Sequence, residues 1–119
     1  MTLMGYQILD TIDRHPVIVK ENIKWLKEIA KHTGKTNVII GFVEPRNGEK
    51  VGKNYYNSVA ILGNGKIKGV VRKSLLPTYS EFLDYRYLEP SPVVGAQSGK
   101  TLGNFGAEKI EDCDKLSDI

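Results

Sequence analysis

The chain has 119 residues, of which 40% are hydrophobic and 26% charged, enough apolar material for one domain and too much for a disordered segment. Its net charge of +3 comes from dispersed lysines and lacks the clustered basic face and stacking aromatics that nucleic acid would need. A single cysteine, Cys113, excludes an internal disulfide framework, and the absence of a long apolar run or a signal-like start excludes a membrane span and makes the cytoplasm the default location.

Residues 1–13 form a short mixed segment with no strand. From Pro16 to His32, Val19, Ile23, Leu26 and Ala30 recur at steps of four, three and four, which predicts one apolar helix face. Pro16 suits the first turn and Gly34 the stop. Lys20, Lys24, Lys27 and Lys31 make a second stripe, read as a solvated flank. Asn37 to Val43 is β-branched and apolar throughout, which predicts a strand buried on both faces. Glu44 to Lys50 reads as a polar loop with turn chemistry. A hairpin follows: Tyr56 to Leu62, a tight turn at Asn64-Gly65, and Lys66 to Val71. The order helix, strand, strand, strand predicts an α/β domain with helix-on-sheet packing.

The second hairpin strand delivers Arg72-Lys73, and Pro77 forces the chain away into Tyr79, Phe82, Asp84, Tyr85, Arg86 and Tyr87. Lys73 at a strand end reads either as a surface charge or as an ammonium held over a pocket. The aromatics read as packing residues or as a substrate cage, and Asp84 beside Arg86 as a surface ion pair. Beyond Pro90, residues 91–106 read as an extended glycine-rich loop, and residues 107–119 as an acidic tail. Gly95 to Thr101 imitates a phosphate loop. It has three residues between its glycines instead of four, and poor helix-forming residues after them, which argues against nucleotide binding. His15 and His32 lie at helix ends without metal-spaced neighbours.

Residues 56–90, with Tyr56-Asn57-Ser58, the glycine turn, Arg72-Lys73-Ser74-Leu75-Leu76-Pro77, Tyr79, Phe82 and Arg86-Tyr87 in this order, resemble the carbon-nitrogen hydrolase (nitrilase) superfamily. Within it they are closest to the glutaminase domain of glutamine-dependent NAD synthetase, and the best-matching part runs from 16 to 90. The resemblance implies an α-β-β-α sandwich, of which residues 1–119 would be the N-terminal half. It also implies a Glu-Lys-Cys triad: the cysteine attacks an amide carbonyl, the glutamate moves the proton, and the lysine stabilises the oxyanion. Lys73 matches the triad lysine, Tyr79 a tyrosine that contacts glutamine, and Asp84 a second glutamate that orients the site. The family's base lies just upstream of a segment like Leu3-Met4-Gly5-Tyr6, where this chain has no acid. Ile110 stands at the cysteine position, and Cys113 fits only if the register slips. The expectation is therefore a fragment, inactive alone, whose parent hydrolyses glutamine or another small amide to supply ammonia for NAD synthesis. No cofactor is expected in this domain, ATP and the NAD precursor belonging to a separate synthetase domain. The competing expectation is an interaction module that associates, with itself or a homologue, through an open sheet.

Overall fold

A computed structural model describes residues 2–5, 9–46, 52–80 and 82–91, with only the backbone for 9 and 10. Cys113, Ile110, the Gly95 to Thr101 loop and the acidic tail lie outside them. The described residues form a small α/β domain: α1 (Leu9–Ile12), α2 (Pro16–Lys31), β1 (Val38–Pro45), β2 (Tyr55–Gly63), β3 (Lys66–Arg72), α3 (Asp84–Tyr87) and β4 (Leu88–Glu89). β1, β2 and β3 run antiparallel in that order, and β4 joins β2 in parallel at Tyr55 and Tyr56, beside the place where β3 has left the sheet.

Helix α2 follows its periodicity. Val19, Leu26 and Ala30 are buried, Ile23 is half-buried, and the four lysines are exposed. Leu26 and Ala30 pack on Ile40, Phe42, Ala60, Leu62, Ile67 and Val70 of the sheet, which forms the main core. Asn22 shares the buried side, where its amide brackets the edge of β1: it donates to the Val43 carbonyl at 2.8 Å and accepts from the Val43 N–H at 3.5 Å. A side chain thus supplies what a neighbouring strand would otherwise provide. A second cluster of Ile12, Val19, Val43, Tyr55, Tyr87 and Leu88 seats α1, α3 and β4 against the sheet.

The hairpin closes where Asn64-Gly65 predicted it, with both residues at positive φ (53° and 76°), the geometry of a type I′ turn. Its tip docks on the end of α2, the Asn64 and Gly65 amides donating to the Gly34 and Thr33 carbonyls at 2.8 and 2.9 Å. The β2–β3 ladder is irregular. Leu62 faces Ile67 and Ile61 faces Gly69, so Lys68 is an extra residue, a bulge. The Lys68 ammonium reaches Asn37 Oδ1 at 2.6 Å, and both side chains crowd the position a Cβ on Gly63 would take.

Three expectations need correction. β1 is buried from Ile40 to Glu44, but Ile39 is 57% exposed, so the strand is not covered on both faces along its length. Glu44 and Pro45 are strand, not loop; the polar residue extends the ladder because its charge is satisfied inside. The stretch after Pro77, read without secondary structure, holds α3 and β4, which are too short for a periodic signal and owe their place to packing on Tyr55 and Val43.

Candidate functional site

The site sits where β3 ends. The Lys73 amide donates to the Asn57 carbonyl at 2.9 Å, and the Lys73 carbonyl accepts from the Ser91 amide at 3.0 Å, so its backbone is held between β2 and the segment after β4. Four flexible side-chain bonds then start from a rigid origin. The ammonium stands 3.7 Å from Asp84 Oδ2, with the Lys73 side chain 44% exposed and that of Asp84 fully buried. Asp84 opens α3, and the pairing with Arg86 expected from sequence is replaced: Arg86 lies against the Tyr87 ring at 5.5 Å, and the carboxylate faces Lys73. At 3.7 Å the pair attracts without a hydrogen bond, so the N–H donors of Lys73 remain available to a third group.

Tyr79 is 69% exposed and meets Phe82 edge to face, with ring centroids 5.4 Å apart. The Phe82 amide donates to the Tyr79 carbonyl at 3.0 Å, closing a turn in which Ser80 takes φ 53°. That left-handed conformation is costly for serine and sets the direction of the loop that carries Tyr79. Lys73 and Asp84 are therefore brought together, Tyr79 stands on the exposed loop between them in sequence, and Cys113 lies outside the described residues.

Sequence reading missed the charge pair on the other side of β3. Arg72 Nε lies 3.0 Å from both oxygens of Glu44, and its Nη2 donates to Glu44 Oε1. Glu44 is completely buried, accepts from Ser58 Oγ at 2.6 Å, and leaves Arg72 stacked 4.3 Å from the Tyr56 ring centroid. Its two oxygens are engaged, so Glu44 is no free base. The available signal was the acid itself, an isolated glutamate directly continuing an apolar strand. Farther along, Lys53 lies 3.7 Å over the Tyr85 ring, and Arg46 and Lys53 converge on Glu89 at 3.8 and 3.9 Å.

Among the described residues no group of three or more His, Cys, Asp or Glu could hold a metal, and no helix is long and apolar enough to cross a membrane.

No family model matches the chain. It is similar to glutamine-dependent NAD(+) synthetase of Thermotoga maritima, 35% identical over 90 residues, which are 74% of this chain and 14% of that protein. The corresponding protein of Aquifex aeolicus is 33% identical over 92 residues, covering 73% of this chain and 14% of the relative. That of Synechocystis is 32% identical over 91 residues, covering 73% and 16%. The chain thus matches a small piece, about one seventh, of each of these relatives.

Proposed function

We propose that this chain is part of a carbon-nitrogen hydrolase domain of the nitrilase type, and that Lys73 acts on the side-chain amide of glutamine so that the ammonia released feeds NAD synthesis. The similarity to glutamine-dependent NAD(+) synthetases supports the substrate and the pathway. The observation that carries the chemistry is the Lys73 ammonium held 3.7 Å from the buried Asp84 carboxylate with its hydrogen-bonding capacity unspent. In the proposed reaction a thiolate adds to the amide carbon and the carbonyl oxygen becomes an oxyanion. Lys73 stabilises that oxyanion by charge and hydrogen bonding while the C–N bond breaks and ammonia leaves with a proton from the base. Water then hydrolyses the thioester to glutamate and regenerates the thiol. Asp84 orients the ammonium, and Tyr79 contacts the substrate from its exposed loop.

Ile110 occupies the position where the resemblance expects the nucleophilic cysteine, with Cys113 three residues on. The 119-residue protein is accordingly proposed to bind the amide without turning it over. It needs no cofactor of its own, ATP and the NAD precursor being bound elsewhere in the parent, and it works in the cytoplasm. Titration with L-glutamine followed by amide NMR is expected to move the signals of Lys73, Tyr79 and Asp84, and a Lys73→Ala variant to lose those shifts. Absence of any shift in the unaltered protein would sink the binding role, and ammonia release that Lys73→Ala abolishes would sink the claim of inactivity.

A second reading is favoured by the exposed apolar side chains Ile39 and Val59 on one face of the sheet. Two copies of the chain would cover these residues by packing face to face. Sedimentation over a hundredfold concentration range is expected to show a dimer that Ile39→Lys dissociates; a monomer throughout removes this reading.

A further inference from the structure

Resting on the proposed role of Lys73, we infer that Lys53 is a positioning residue: by covering the outer side of α3 it keeps Asp84 turned inward against the Lys73 ammonium. The backbone of Lys53 is itself fixed. Its amide donates to Glu89 Oε2 at 3.0 Å, and its carbonyl accepts from Arg46 Nη1 at 2.6 Å. The residue before it is equally constrained, since Gly52 takes φ 99° and a Cβ there would run into Arg46 and Glu89. From this origin the side chain, 28% exposed, lays its ammonium 3.7 Å from the centroid of the Tyr85 ring and 3.9 Å from Glu89 Oε2. Lys53 thereby bridges the neighbour of Asp84 to the end of β4.

The start of α3 needs such a hold. A helix of four residues does not sustain itself, and Leu83 supplies no side-chain cap. The apolar anchors Tyr87 and Leu88 both lie toward the far end of the segment, where they pack in the second cluster. At the near end Leu83 and Tyr85 are 45% and 51% exposed, and the buried side chain between them is the carboxylate of Asp84. Burial of that charge opposes the placement, because an outward swing about the anchors would return it to water. Attraction to Lys73 helps, but that ammonium is 44% exposed and, on a flexible stem, follows the carboxylate as readily as it holds it. Lys53 closes the outward route: it ties Tyr85 to Glu89, which is paired with Tyr56 in the sheet.

The test reads contacts by NMR in the 119-residue protein, through nuclear Overhauser contacts between Lys73 and Asp84 and between Tyr55 and Leu88. Lys53→Met keeps the length of the side chain and the backbone bonds of position 53 but removes the charge. It is expected to lose the Lys73–Asp84 contact while retaining the Tyr55–Leu88 contact. Lys53→Arg, whose guanidinium also stacks on a ring, is expected to retain both. Tyr85→Leu takes the ring from under an unchanged lysine; it is expected to repeat the selective loss, and it carries the test should Lys53→Met unfold. Persistence of the Lys73–Asp84 contact in the variant that folds, or loss of both contacts in both variants, would overturn the inference. The readout needs no substrate. A native protein that binds no glutamine, together with the selective loss in Lys53→Met, refutes the proposed function and leaves the positioning of Asp84 standing.

Discussion

Arg72 and Lys73 are neighbours in the chain, and each faces an acid, yet the two pairs differ in almost every physical respect. The Arg72 side chain is 10% exposed, meets a fully buried Glu44 through two nitrogens, and leaves that carboxylate nothing further to do. The Lys73 side chain is 44% exposed, stands 3.7 Å from Asp84 and forms no close hydrogen bond with it. A dry, doubly bonded pair resists rearrangement, because losing one partner strands a charge in the core. A half-wet pair at longer range keeps an ammonium in place while letting it engage something else. One strand end thus separates anchoring from reactivity by turning successive side chains to opposite faces.

The sharpest way to break this contrast is to cut one side of the buried pair. Glu44→Leu or Arg72→Leu singly is expected to lower stability by about 3 to 5 kcal/mol in urea unfolding. Replacing both is expected to restore most of it, since no unpaired charge remains. On the open side, Lys73→Met is expected to cost less, about 1 to 3 kcal/mol by the same measurement: the ammonium is 44% exposed and makes no hydrogen bond to Asp84, but the buried carboxylate loses the cation it faces. A loss from Lys73→Met as large as that from Arg72→Leu would erase the distinction.

Tyr55 sharpens the picture on the same side of the sheet as the second cluster. Burial first, and the negative charge of Asp13 second, push its hydroxyl above the ordinary tyrosine value. Its O–H donates to the Ile12 carbonyl at 3.3 Å, tying α1 to β2. Below about pH 10 the proton is bound in both folded and unfolded chains and contributes no pH dependence. Above that, the unfolded chain releases it while the folded one retains it, so stability falls as pH rises. Tyr55→Phe is expected to cost about 0.5 to 1 kcal/mol at neutral pH and to flatten this alkaline decline, measured by urea midpoints between pH 8 and 11. The smallest effect belongs to Glu28, whose carboxyl is held below its usual value by the Lys31 ammonium, through a hydrogen bond and by charge. Glu28→Gln is expected to leave the melting temperature unchanged at physiological salt, since the pair is exposed and screened.

Several elements could be read from the residues because each carries a local reason for its shape. α2 has a periodic apolar face and a proline start, and the hairpin has the one dipeptide that accepts two positive φ angles at its tip. The Lys73 position at a strand end was equally visible. What it faces was not, since Asp84 lies eleven residues on in a four-residue helix with no periodicity to announce it. Glu44 misled for a related reason. A glutamate before a proline has the composition of a loop, and only its partners Ser58 and Arg72, 14 and 28 residues away, make it a strand residue. The bulge at Lys68 likewise has no local signature; it is what brings Val70, rather than Gly69, opposite Ala60 in the core.

By itself, the order of residues determined where α2 and the strands of the hairpin form and where the chain reverses, since those outcomes depend on side-chain periodicity and on turn dihedrals within a few positions. Only the tertiary structure decided which cation enters the core and which one meets Asp84, because the acids that face them, Glu44 and Asp84, are brought there from 28 and eleven residues away.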